Sequence, residues 1–354
     1  RGYTKLNPSE FKKKVKLLAK RNLYPSKKII FGGDHLGPLP WKKMKKNIAL
    51  KRGQKLVEAY LNSNFNKLHI DTTIKMRDEK ILTKDTIKDR SKKILNSLQN
   101  KKLKNLILVL GSEVPTAGGS FAVKKNDFYY ENEIISEIKL YKKIYKELNF
   151  NKDLNLVVDS GMSFNDKKTF TANKKKLNFL RKISQLLNVQ FEAHSTDYQN
   201  INELKELVKS NFKFLKVGPE LTYYFTRAIF EMYKIEKKYL KKNSKIKVVI
   251  YNALKKNNKY WIDYYKHQKL NDVINGQFDR LRYYWNETSI VKEKKKLFKN
   301  IDNLDKIIVF KELGLKKKDY LKLDFSKTSN SKIIVNCFLY KTLKKYYKAC
   351  NYNV

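Results

Sequence analysis

The sequence predicts an α/β fold, a parallel sheet with helices packed outside it. Three observations lead there. Short apolar runs alternate with longer segments of helical spacing. The runs have the length and the Val/Ile/Leu/Phe content of buried parallel strands. Each run also ends in polar or ionisable residues, at the edge where barrels and open α/β sheets both keep their chemistry.

The strands read in order as 27–35 (KKIIFGGDH), 67–73 (KLHIDTT), 105–114 (NLILVLGSEV), 154–161 (LNLVVDSG), 189–197 (VQFEAHSTD) and 212–219 (FKFLKVGP). Amphipathic helices lie between them. Ile87, Ile94, Leu95 and Leu98 mark one. Ile134, Ile138, Tyr141, Tyr145 and Leu148 mark a second, and Leu177, Leu180, Ile183 and Leu187 a third, each spaced by three or four residues. Beyond about residue 220 the pattern is mostly helical. The run KIKVVIYNAL (245–254) leaves helix and strand open, because its β-branched content sits between helical neighbours. RLRYYW (280–285) reads as a final strand, and the last stretch as helical and irregular. Residues 1–354 are expected to form a single domain, with strand–helix repeats over 1–220 and a mostly helical part over 221–354. The length exceeds an ordinary single domain but suits an α/β barrel. The chain begins at Arg1 rather than Met, which reads as a processed form or a fragment.

Composition excludes several classes. Apolar residues make up 41%, enough for a sizeable core, and no apolar run reaches the ~18 residues of a membrane span. No secretory signal opens the chain. The two cysteines, Cys337 and Cys350, fit neither a disulfide framework nor a metal finger and read as reduced thiols of a cytoplasmic protein. The net charge of +45 invites a nucleic-acid reading, but only nine of the 79 basic residues are arginine and the lysines are spread along helix surfaces. No concentrated stripe or recognisable module is present, so no specific nucleic acid is expected. Attraction to anionic metabolites is the milder consequence.

The polar strand ends are Asp34–His35, Asp71, Gly111–Ser112–Glu113, Asp159, Glu192–Ala193–His194 and Lys216. Caps and turns account for one or two such residues, not for six. Of four histidines, His35 and His194 end strands with carboxylates beside them, a pattern able to hold a divalent metal. His69 alternates with Asp71 on one strand face and reads as a satisfied core histidine. Gly32, Gly33, Gly37, Gly118 and Gly119 suit tight turns, or a cradle for a phosphate or sugar. FGGDHLG matches neither a Walker loop nor a dinucleotide fingerprint. Ser112, Ser160 and Ser195 are not in a nucleophile elbow.

Several stretches together resemble one family. GGDHLGPLPW, GSEVPTAGGS, FEAHSTDYQ, LKVGPELT followed by RAIF, FDRLRYYW, YWIDYYKH and the C-terminal YYKAC are similar, along nearly the whole chain, to the accessory or Z subunit of class II D-tagatose-1,6-bisphosphate aldolase. The resemblance implies a TIM-type (β/α)8 barrel and a cytoplasmic role in tagatose, galactitol or N-acetylgalactosamine catabolism. It also implies association with a class II aldolase catalytic subunit. Members of the group also act as metal-dependent 4-epimerases on fructose 6-phosphate and tagatose 6-phosphate. Some are described as tagatose-6-phosphate kinases, which the motifs here do not support. Two departures stand out. The family has a strand upstream of the segment resembling RGYTKLNPSEF, so the barrel is expected to lack its first strand through N-terminal truncation. Gln-Pro-Gly is usual where this chain has Asp159–Ser160–Gly161.

The resemblance implies a sugar-phosphate substrate and a divalent ion: zinc, manganese, cobalt or magnesium. His35 and His194, with Glu192 or Glu113, are the metal candidates. Asp34, Asp197 and Glu113 are the acid/base candidates. Lys216, Arg280, Arg282, Gly118 and Gly119 are the candidates for holding substrate and its phosphate. The main expectation is a subunit that supports a catalytic aldolase. The alternative is a stand-alone 4-epimerase working by retro-aldol cleavage and re-closure, in which a Lewis acid polarises the carbonyl.

Overall fold

The computed structural model describes residues 6–98, 105–112, 127–265, 269–315 and 328–351. Its strands are β1 (Gly32–Leu36), β2 (Lys67–Ile70), β3 (Ile107–Leu110), β4 (Leu154–Val157), a two-residue hairpin pair β5 (Ser163–Phe164) and β6 (Thr169–Phe170), β7 (Val189–Ala193) and β8 (Phe212–Leu215). The helices are α1 (Pro8–Arg21), α2 (Lys46–Asn62), α3 (Lys84–Asn96), α4 (Asp127–Glu147), α5 (Lys174–Leu186), α6 (Ile201–Lys209), α7 (Pro219–Tyr239), α8 (Ile246–Lys256), α9 (Leu270–Asn275), α10 (Thr288–Asp302), α11 (Lys306–Glu312) and α12 (Asn330–Ala349).

All six predicted strands over 27–219 form, and they make one parallel sheet in the order β1-β2-β3-β4-β7-β8. Strand order never reverses, which distinguishes the sheet from a doubly wound one. The sheet is also curled. Laid flat, five strand spacings would separate its edges by ~24 Å, yet Lys216, just past β8, makes an ion pair with Asp34 in β1. The two edge strands therefore approach one another at their C-terminal ends, as in a TIM-like barrel.

Strand alternation sorts the two faces. Leu68 and Ile70, Leu108 and Leu110, Leu154 and Leu156, and Phe191 and Ala193 point outward into one apolar cluster with Val57, Ile94, Ile138, Tyr141, Leu180 and Leu207 of the surrounding helices. Each such large side chain, once buried, contributes about 1.5–3 kcal/mol. The predicted helix faces are those buried here, including Ile134, Ile138, Tyr141 and Tyr145 of α4 and Leu177, Leu180 and Ile183 of α5. The residues between them on the strands point into the barrel.

The second half is helical and has its own core. The ambiguous run 245–254 becomes α8, because Ile246, Ile250 and Leu254 recur every four residues and all three are buried. RLRYYW corrects the sequence reading: it is not a strand but a 3-10 turn over Arg280–Tyr283. Leu281 and Tyr284, three residues apart, both turn into the helical core, which a strand's period of two does not allow. The final helix α12 packs on α7 and α6. No helix of the described residues is long and apolar enough to cross a membrane.

Candidate functional site

Asp34 and His35 are neighbours and in a regular strand would face opposite ways. The register between β1 and β2 slips here, from Gly33 opposite Leu68 to Leu36 opposite Ile70. One extra residue is thereby absorbed, and His35 takes a left-handed backbone with φ 48°. That conformation costs about 1–2 kcal/mol for a non-glycine residue. It turns both side chains to the mouth of the barrel, where each meets His69. Gly37 follows because any side chain there would overlap the Asp71 carbonyl oxygen.

On β2 and just past it, Lys67, His69 and Asp71 alternate onto the inner face; on β7 and just past it, Glu192 and His194 do so. Three histidine rings converge as a result. The ring centres of His35 and His69 lie 4.5 Å apart, and each is 5.4 Å from that of His194. His69 and His194 are fully buried.

Hydrogen bonds fix the rings. His69 Nε2 lies 3.2 Å from the Gly111 carbonyl oxygen and its Nδ1 lies 2.8 Å from Asp34 Oδ1, so both ring nitrogens face acceptor oxygens. His194 Nε2 lies 3.2 Å from Glu192 Oε1, while its Nδ1 is buried with no hydrogen-bond partner. His35 Nδ1 lies 3.6 Å from Asp71 Oδ2, and Asp71 is itself held by the Thr73 backbone N–H at 2.8 Å.

The environment sets the charges. Burial pushes the His194 imidazole down to about 4, against the raising effect of Glu192, so the ring is neutral at neutral pH. Burial alone would raise the Asp34 carboxyl, but the hydrogen bond to His69 and the charges of Lys216 and His35 hold it far below the ordinary range. Glu192, likewise buried, is held far down by His194, Lys67 and Lys216. Asp34 alone of these is half exposed, at 50%. One donor atom each from His35, His69 and His194 lie within 4.8 Å of one another, and so do those of Asp34, His69 and Glu192. The neutral His194 imidazole, with its orphaned buried Nδ1, is a donor that fits a divalent ion, and His35 and His69 lie within reach of the same ion.

The structure thus brings together Asp34, His35, Glu192, His194 and Lys216 of the predicted residues. Glu113, Gly118, Gly119 and His267 lie outside the described residues. Asp197 is engaged elsewhere: its Oδ1 accepts the backbone N–H groups of Gly218 (2.8 Å) and Glu220 (2.9 Å) at the start of α7. Arg280 donates to the Tyr260 carbonyl at 2.7 Å and stacks on Tyr264. Arg282 donates to the Phe278 and Asp279 carbonyls. Both guanidinium groups make these contacts within the helical half. Asp159 pairs with Lys176 of α5 at 3.1 Å. His69 is the residue that sequence reasoning set aside: it is a buried, hydrogen-bonded histidine, as expected, but it is also the centre of the cluster. The signal for it was the Lys67–His69–Asp71 alternation.

Comparison with known proteins gives a consistent outcome. A protein-family model described as D-tagatose-1,6-bisphosphate aldolase subunit GatZ/KbaZ-like matches residues 1–351. The subunit GatZ of D-tagatose-1,6-bisphosphate aldolase from Escherichia coli O6:K15:H31 (strain 536 / UPEC) is 28% identical over 319 residues, covering 86% of this chain and 76% of that one. The protein of the same name from Shigella boydii serotype 18 shows the same identity and coverage. A crystal structure described as a probable tagatose 6 phosphate kinase from Sinorhizobium meliloti 1021 superposes with a TM-score of 0.84 at 25% identity, over 99% of this chain and 89% of that one. With the match spanning the sheet, its polar mouth and the helical half alike, the chain belongs to the D-tagatose-1,6-bisphosphate aldolase subunit GatZ/KbaZ-like family.

Proposed function

We propose that the chain serves as a Z-type subunit of tagatose-bisphosphate aldolase, supporting a separate class II catalytic subunit in sugar-phosphate catabolism. The observation that carries this reading is the family match along 351 residues, joined by relatives that bear that subunit's name. In the same reading the six-stranded sheet is the greater part of a (β/α)8 barrel, supported by its sequential order and its curl.

A second reading, a metal-dependent sugar-phosphate 4-epimerase, is favoured by the histidine cluster. Nothing in an accessory role calls for three imidazoles and two carboxylates at a barrel mouth. His35, His69 and His194 would hold the ion, whose chemistry is to polarise a carbonyl oxygen. The remaining work falls to the chain. Glu192 and the Gly111 carbonyl orient His194 and His69. Asp71 orients His35. Asp34, half exposed at the mouth, is the carboxylate able to reach a substrate hydroxyl and exchange its proton. The kinase description borne by the structural neighbour finds no support, since Gly32 and Gly33 lie within β1 and not in a phosphate loop before a helix.

The test is to incubate the full-length protein alone with fructose 6-phosphate, after chelation and with a divalent metal restored, and to assay tagatose 6-phosphate. Co-expression with a class II aldolase subunit is the parallel arm. Metal-dependent conversion establishes the epimerase. Rescue of the aldolase without conversion establishes the accessory subunit.

A further inference from the structure

Lys216 stands where the two donor sets meet. Its Nζ lies 2.8 Å from Glu192 Oε1 and 3.2 Å from His69 Nδ1, and it donates to Asp34 Oδ1. It thus contacts every member of the Asp34–His69–Glu192 set. His69 belongs to the set with His35 and His194 as well. Its Nε2 faces the Gly111 carbonyl, so Nδ1 is the ring atom left for an ion, and Nδ1 is the atom beside Lys216. Like charges a few ångströms apart repel strongly where water is scarce. A divalent ion held through His69, in either set, therefore excludes the Lys216 ammonium from its present position.

The surroundings let that ammonium leave. The Lys216 backbone is pinned: its N–H donates to the Ala193 carbonyl at 2.8 Å, and its carbonyl accepts the Thr196 N–H at 3.1 Å and the Thr196 hydroxyl at 2.8 Å. Only the side chain has to move, and it is a flexible four-carbon stem. That side chain is 24% exposed, against 13% for Lys67, whose ion pair with Glu192 uses the other carboxylate oxygen, Oε2, and survives the departure. We propose that Lys216 is a displaceable counter-ion: it holds Asp34, His69 and Glu192 together until a divalent ion takes its place, and metal loading turns its ammonium out to the mouth. This rests on the metal-site reading above. It also reconciles the contacts of Lys216 with the role expected from sequence, because the expelled ammonium becomes free to meet the phosphate of an anionic substrate only once the metal is in.

The experiment uses the full-length protein, chelated and then loaded with zinc, and reads two quantities. The first is limited acylation by acetic anhydride, followed by peptide mass spectrometry with Lys67 as the internal reference. Zinc is expected to raise the labelling of Lys216 about fivefold relative to Lys67. The second is zinc affinity, by competition with a chromogenic chelator. Lys216→Met, which keeps the stem and removes the charge, is expected to bind zinc about tenfold more tightly than native protein, and Lys216→Arg no more tightly. Lys216→Gln serves as the same test should the methionine variant prove insoluble. Unchanged labelling of Lys216 in zinc-loaded protein, or native zinc affinity in the uncharged variants, would overturn the displacement while leaving the metal site standing. Failure of native protein and the uncharged variants alike to bind zinc would overturn both.

Discussion

The strands of this sheet end in different chemistry at their two ends. At the C-terminal end they carry Asp34, His35, His69, Asp71, Glu192 and His194. At the N-terminal end of β3, β4, β7 and β8 there is a cavity of about 860 Å³ lined by Asn105, Asn155, Asn188 and Gln190 with Lys142, Lys152 and Asp153. Amides do not titrate, and a single carboxylate, Asp153, stands among them with two lysines nearby. Among the described residues, no group of metal donors forms there. Room alone does not make a site. What makes one is the convergence of groups whose protonation is fixed by their neighbours, and in this fold that happens where β1 and β8 curl together.

The largest difference between the ends should appear in metal affinity. His69→Ala is expected to weaken zinc binding about a thousandfold, roughly 4 kcal/mol. Asn155→Ala, at the other end, should change it less than about threefold. Titration calorimetry on both would break the comparison if the losses were equal.

The mouth is also braced from outside. Glu220, buried at the start of α7, accepts the Tyr198 backbone N–H at 2.7 Å and pairs with Lys345 of α12, while Tyr346 donates to the Thr196 carbonyl at 2.7 Å. This gives the C-terminal YYKAC stretch a structural reason. Lys345→Met leaves a buried carboxylate short of its charge partner and should cost about 3 kcal/mol in urea unfolding. Lys348→Met, on the exposed face, should stay within ~0.5 kcal/mol. Equal effects would remove the brace from the account.

Asp197 adds a pH dependence to the same brace. Burial pushes its carboxyl up to about 6, helped by the charge of Glu220 and opposed by the N–H groups of Gly218 and Glu220. The unfolded chain releases that proton near pH 4, so between about 4 and 6 the native state holds a proton that the unfolded state has lost. The contribution is full below about pH 4 and fades as pH rises through 6. Asp197→Asn keeps the acceptor and removes the titration. Relative to native protein its stability should improve by about 2 kcal/mol between pH 4 and pH 7. A difference independent of pH would contradict this.

The smallest effect concerns orientation. Asp71→Asn keeps a side-chain oxygen beside His35 but removes its charge, and should weaken zinc binding about tenfold. No change would mean that the bulge in β1, not Asp71, sets the ring.

How far the sequence revealed this can be read residue by residue. The strands were legible because their apolar runs stop abruptly at Asp34, Asp71, Glu192 and Lys216. The role of His69 was not, since the alternation is the same whether the inner face of a strand is packed or lined with ligands. The one-residue slip in β1 that puts both Asp34 and His35 at the mouth leaves no mark in the alternation of the sequence. RLRYYW misled because aromatic content suits a strand, while its buried pair Leu281 and Tyr284 has a period of three. Arg280 and Arg282 read as cations in the sequence, and each also donates to a backbone carbonyl in the helical half, which no spacing in the sequence announces.

The central proposal is a divalent metal held on the histidine cluster where the sheet curls shut. X-ray absorption at the zinc edge of the chelated and zinc-reloaded full-length protein tests it most directly. The account predicts a first shell with three imidazole nitrogens at ~2.0–2.1 Å, lost in His69→Ala. A shell of sulfur from Cys337 or Cys350, or an unchanged spectrum in His69→Ala, would contradict it.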